Sequence, residues 1–144
     1  MVIFQILGDL MNRFINDAIK NLKASPLKVT SQRIKIISIL FKKGDSHHTA
    51  EDVHKLVKQK GLNISLATVY NTLNLFSQHG ILRILRVPSD KFFFDTNLKP
   101  HHHFFCKKSE ELIDIKNSEI KLSKVPKPPK GKSISSVQVF VNLD

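Results

Sequence analysis

A chain of 144 residues with 41% hydrophobic content and ten Phe is too apolar to be disordered, and it suits one compact domain or two small ones. Its single cysteine excludes a disulfide framework and any CxxC zinc clamp within one chain, and fits a reducing cytoplasm. A net charge of +11 favours a polyanionic partner, nucleic acid ahead of a membrane surface. The opening run Met1-Val2-Ile3-Phe4-Gln5-Ile6-Leu7 is too short to span a bilayer and lacks the basic leader of a signal peptide. Ile3, Ile6, Leu7, Leu10, Phe14, Ala18 and Leu22 instead recur at helical spacing and predict a leading amphipathic helix, with Met11 as an alternative start.

Thr30 is placed to cap a second helix with the stripe Ile34, Ile37, Leu40 and Phe41, ending near Gly44. Thr49 and Asp52 resemble a capping box ahead of a buried stripe of Val53, Leu56 and Val57, and Gly61 takes the C′ position. Ser65 caps the next helix, with Leu66, Val69, Leu73 and Phe76 inside and Gly80 closing it. Helix, four-residue turn, helix is the spacing of a helix-turn-helix. The apolar runs Ile81–Val87 and Lys91–Asp95 flank Pro88-Ser89-Asp90 and predict a hairpin, which makes the unit a winged helix-turn-helix. Further strands are predicted at His101–Cys106, Glu111–Ile115 and Ile134–Leu143. The last two are separated by a stiff Pro-rich connector, residues 124–131, that cannot be helical.

The charge is uneven. Residues 1–87 hold 13 Lys and Arg against 5 Asp and Glu, whereas residues 88–144 hold 10 against 7. The first part is therefore the better phosphate surface, and Lys28 and Arg33 are its candidate contacts. Opposite its core stripe, the Ser65-capped helix presents Ala67, Thr68, Asn71, Thr72, Asn74 and Gln78, with Tyr70 at the boundary. Small and amide side chains near a helix amino terminus suit base-edge readout in a major groove, whereas an ordinary solvated face would carry Lys and Glu. Tyr70 can equally be a half-buried core residue with its hydroxyl at the surface.

Pro100-His101-His102-His103-Phe104-Phe105-Cys106 holds three of the seven histidines. On a strand His101 and His103 share a face and His102 takes the other, so the pair with Asp95 upstream can supply three ligands to one borderline metal ion. The alternative is a polar edge strand whose histidines are merely solvated. His48, His54 and His79 are assigned to the surface, and Cys106 packs as a small apolar residue or acts as a thiolate.

Lys28-Val29-Thr30-Ser31-Gln32-Arg33, His47-His48-Thr49-Ala50-Glu51-Asp52, Ser65-Leu66-Ala67-Thr68-Val69-Tyr70 and the His101–Cys106 run together resemble the ferric uptake regulator family, over about Asn21 to Ile115. The resemblance implies an α+β protein. Residues 1–95 would form a winged-helix DNA-binding domain, and residues 96–144 a small α/β domain for dimerisation and sensing. It further implies a non-enzymatic, metal-responsive regulator of iron homeostasis that binds double-stranded operator DNA as a homodimer. The regulatory metal, Fe, Mn or Zn, would fall on His47, Asp95, His101 and His103. Asp114 would be a fifth ligand or an acceptor that orients an imidazole. The DNA-facing positions would be Tyr70 and its neighbour Asn71, where many relatives carry Arg.

Where much of the family has CxxC after the histidines, this chain has Cys106-Lys107-Lys108-Ser109, so the family's structural zinc cannot be built. That loss, the His triplet, Tyr70-Asn71-Thr72-Leu73 and the Pro-Pro-x-Gly stretch resemble the iron response regulator branch. The branch implies haem binding at His101, His102 and His103, although its Cys-Pro haem motif is absent, since Cys106 precedes Lys107. Two other classes remain open: a winged-helix module for protein contact with inert histidines, and a small zinc hydrolase using Glu110 or Glu111 as base. The hydrolase lacks any HExxH pair.

Overall fold

The computed structural model describes residues 2–144. They form two compact units, one comprising the chain up to Arg86 with Lys91–Leu98, the other Val87–Asp90 with Lys99–Asp144. The fold class is α+β. The first unit carries helices α1 (Val2–Ala24), α2 (Ser31–Leu40), α3 (Ala50–Gln59) and α4 (Leu66–Gln78). Its antiparallel sheet has the order β1 (His47–His48), β3 (Phe92–Asp95), β2 (Arg83–Arg86). No helix among the described residues is long and apolar enough to cross a membrane.

Three helices begin where a hydroxyl takes an otherwise orphaned amide. Thr30 accepts from the Arg33 amide, Thr49 from Asp52 and Ser65 from Thr68. At Thr49 the box closes, because the Asp52 carboxylate accepts the Thr49 amide at 3.1 Å. Helix α3 ends as its glycine predicts. Gly61 lies at φ 71°, its amide bonds Lys58 and the Leu62 amide bonds Val57, which satisfies two terminal carbonyls. Residues 61–64 then form the predicted four-residue turn between the C-cap Lys60 and the N-cap Ser65. Gly44 is held for space as well as conformation: at φ +74° a Cβ there would meet the Phe14 ring at 3.0 Å.

The core joins Leu22, Ile36, Ile37, Leu40, Val53, Val57, Val69, Leu73, Phe76 and Phe94. Several positions differ from the predicted stripes. Ile34 and Leu56 are half-buried, while Ile36 is fully buried, because α2 packs against both α1 and α3 and needs a wider apolar face. Leu66, expected inside, is exposed in the first turn of α4. Thr72, expected on the outward face, is buried. Its hydroxyl donates to the Thr68 carbonyl at 2.8 Å, so no polar atom is stranded. In α1 only Ala18 and Leu22 are fully buried; Ile3, Ile6, Leu7 and Leu10 remain exposed, so the predicted stripe serves the core only in its second half.

The second unit is a three-stranded sheet, β4 (His101–Cys106), β5 (Glu111–Lys116) and β6 (Phe140–Leu143), in the order β5-β4-β6. Strands β4 and β5 form an antiparallel hairpin, and β6 joins β4 in parallel. Among its described residues the unit has one 3-10 turn, Asn117–Glu119. The strand predicted from Ile134 begins only at Phe140. In the parallel register residues 134–137 would face residues 97–100, upstream of β4, where Pro100 lacks an amide donor, and the Val139 amide bonds the His102 ring.

Candidate metal centre and nucleic-acid interface

In the first unit the short strand β1 sets His47 directly opposite Asp95. Two residues are too few to hold such a pairing alone, and hydroxyls reinforce it. Thr96 Oγ1 accepts the Ser46 amide at 2.9 Å and donates to the Gly44 carbonyl, while the Thr96 amide bonds the Ser46 carbonyl. Asp95 is fully buried at the end of the central strand, with Arg83 as its register partner on β2, and its Oδ1 accepts the Asn97 amide at 2.8 Å. His48, expected at the surface, is half-buried. Its Nε2 lies 2.8 Å from Ser46 Oγ, and burial holds its pKa below the usual imidazole value. His54 is half-buried as well, and His79 is exposed as expected.

In the second unit all three histidines of β4 are buried, so the solvated-edge alternative does not describe them. Alternation places His101 and His103 side by side with ring centroids 4.5 Å apart. Asp114 on β5 is the register partner of His103. Its Oδ1 lies 3.4 Å from His101 Nε2 and 3.2 Å from His103 Nε2. The tautomer of His101 follows from its other nitrogen. Nδ1 is 2.6 Å from the Lys99 carbonyl, which can only accept, so Nδ1 carries a proton, and in the neutral ring Nε2 holds the lone pair on the Asp114 side. Fixing one ring nitrogen so that the other can ligate is the usual support of a metal-binding imidazole. The His103 ring stacks on Phe140 at 5.6 Å. His102 faces away, and its Nδ1 accepts the Val139 amide at 3.0 Å, which leaves Nε2 protonated in the neutral ring.

Of the ligands predicted from the sequence, His47 and Asp95 lie on the first unit and His101 and His103 on the second, as does Asp114. Imidazole and carboxylate together suit borderline divalent ions. Ser46, Thr96 and Val139, which position these residues, escape a reading of the sequence. Only the hydroxyl flanking Asp95 offers any signal.

Cys106 closes β4 half-buried, not packed as a core residue. Hydrogen bonds from the Ser109 hydroxyl and backbone lower its thiol pKa. Cys106→Ser is expected to retain the fold with a melting temperature within a few degrees. Loss of stoichiometric zinc together with a large drop in melting temperature would make Cys106 a structural ligand.

On the other candidate interface, Lys28, Ala67, Tyr70 and Asn71 are exposed and Thr68 is half-buried. The Thr68 hydroxyl accepts from Ser65 Oγ at 2.9 Å. The Arg33 guanidinium donates to the Lys28 carbonyl at 2.6 Å, which ties the loop before α2 to its first turn. Tyr70 is 39% exposed and meets Phe92 edge-on at 5.8 Å, so its ring braces α4 against β3 while its rim reaches solvent.

The family model described as "Ferric uptake regulator family" matches residues 24–141. The ferric uptake regulation protein of Neisseria gonorrhoeae is 37% identical over 111 residues, 76% of each chain. The peroxide-responsive repressor PerR of Staphylococcus epidermidis is 32% identical over 70% of this chain and 67% of its own. Among solved structures, the ferric uptake regulator of Pseudomonas aeruginosa with manganese superposes with a TM-score of 0.68 at 25% identity, covering 86% of this chain and 94% of that one.

Proposed function

The chain belongs to the ferric uptake regulator family, a family of metal-responsive transcriptional regulators, and from that membership we propose how its own residues carry the role. It acts in the cytoplasm as a regulator, not an enzyme. Residues 1–95 bind operator DNA, and residues 96–144 dimerise and sense a divalent ion. Tyr70, Ala67, Thr68 and Asn71 meet base edges, and Lys28 and Arg33 meet phosphates. His47, Asp95, His101 and His103 ligate the ion, with Asp114 as a further ligand or as the acceptor that orients an imidazole. The observation that carries the reading is the convergence of His101 Nε2 and His103 Nε2 on one Asp114 oxygen, with the His101 tautomer set by Lys99. The manganese of the Pseudomonas aeruginosa relative supports Mn or Fe as the first ions to try.

An ion held from both units would restrict the hinge between them and so favour one spacing of the two recognition helices in a dimer. Its coupling to DNA would be about 1–3 kcal/mol, the usual range between two sites. Dimerisation rests on the small size of the second unit, whose own buried apolar set is little more than Phe105, Leu112 and Ile115. The iron response regulator features point to haem at the His triplet. Ligation by His102 would, however, require moving its Nε2 proton and disturbing its bond to Val139, so the divalent ion stands first.

The test is operator affinity measured with Mn²⁺, with haem and with chelator. Metal-dependent affinity supports the reading, a haem-only response moves the chain to the haem-sensing branch, and no response to either leaves the histidines structural. In the same assay Tyr70→Ala is expected to cost about 1–3 kcal/mol on the operator and much less on random duplex. Lys28→Ala should weaken both alike. Loss of the fold in Tyr70→Ala, without selective loss of binding, would assign Tyr70 to the core contact with Phe92.

A further inference from the structure

The connector between the 3-10 turn and β6 has a pattern that the metal-responsive reading does not use. Lys121, Lys124, Lys127 and Lys130 recur every third residue, and no acidic residue lies between Glu119 and Asp144. Residues 121–137 are exposed throughout and belong to no helix or strand. Pro126, Pro128 and Pro129 fix their own φ, and Val125, Lys127 and Pro128 each precede a proline, which holds them extended. Residues 124–129, between a bend at Ser123 and a turn at Lys130 and Gly131, are thereby held near polyproline II, with three residues per turn. Lys124 and Lys127 therefore share one edge, about 9 Å apart at a rise of about 3.1 Å per residue, flanked by Lys121 beyond the bend and Lys130 in the turn. The adjacent positions Val125 and Pro128 are uncharged.

We propose that this lysine row is a sequence-independent clamp on the phosphate backbone of DNA; the proposal rests on the DNA-binding reading above. B-DNA carries one charge per about 1.7 Å of axis, so a row with one cation per about 9 Å finds phosphates in any register. The clamp thus adds affinity but reads no bases. Its stiffness matters energetically, because a row already extended loses less conformational freedom on docking than a flexible tail with the same charge.

The test uses the full chain and fluorescence anisotropy on an operator duplex and a random duplex of equal length, across a salt series. For K121Q/K124Q/K127Q/K130Q the slope of log affinity against log salt is expected to become shallower by about 0.9 for each phosphate no longer neutralised. Affinity for the two duplexes should fall by the same factor. P126G/P128G/P129G keeps every charge and is expected to lose part of that affinity. Both variants should melt like the parent, since the segment bonds to itself through a local turn, from the Lys132 amide to the Pro129 carbonyl. An unchanged slope in the lysine variant, a loss confined to the operator, or a glycine variant equal to the parent would each overturn the clamp. Binding to anionic vesicles with an unchanged DNA slope would overturn it in favour of a membrane surface. A parent chain that binds no duplex fails the regulator reading and the clamp with it, whereas a parent that binds normally isolates the clamp as the part at fault.

Discussion

His101→Ala combined with His103→Ala is expected to abolish divalent-metal binding at the proposed centre and the metal's effect on DNA affinity. Residues that merely orient a metal ligand cost about 10–100-fold in affinity when replaced, so removing two direct imidazole ligands should exceed the upper end of that range. His47→Ala separates binding from coupling. The ligands of the second unit should keep part of the metal affinity, while most of the effect on operator binding disappears. Titration calorimetry with Mn²⁺ and operator anisotropy with and without chelator read the two quantities. An intact metal response in His47→Ala would confine the ion to the second unit.

The largest loss of stability is expected from Phe76→Ala. Phe76 is fully buried on α4, and its carbonyl accepts the Ile81 and Leu82 amides, so the ring and the backbone beneath it tie the helix to the start of the wing. Truncating a buried Phe costs about 3–5 kcal/mol, because the forfeited transfer energy adds to that of the cavity left behind. Against a usual total of about 5–15 kcal/mol, the first unit should be left marginal or unfolded at 25 °C. Circular dichroism melting checks this directly. A fall of only a few degrees would mean that neighbouring side chains collapse into the space.

Local chemistry is legible in the sequence wherever the partner lies within a few residues. Thr30, Thr49, Gly61 and Ser65 each declare a helix end because the groups they satisfy are three or four positions away. The His101/His103 pairing is legible for the same reason, since alternation along one strand is a local property. Strand β1 is not: two polar residues carry no periodicity, and their partner Asp95 lies far along the chain. The wider apolar face of α2 and the inward Thr72 escape the sequence because tertiary neighbours and a hydroxyl bond to the preceding turn decide them, not hydrophobicity. At β6, alternation suggests ten residues, but the ladder on β4 begins only at His103, because the preceding Val139 amide bonds the His102 ring.

The parallel seating of β6 on β4 also orders events in time. The β4–β5 hairpin closes over a short turn, a microsecond event for such elements. Strand β6 must return across the whole lysine- and proline-bearing connector, and closing that longer loop carries a larger entropic barrier. Until it docks, the Val139 amide is not on His102, the Val139 carbonyl is not on the His103 amide and Phe140 does not cover the His103 ring. The histidine strand is therefore expected to gain its final rigidity only once β6 has docked. The same edge should be the first part of the sheet to exchange its amide hydrogens.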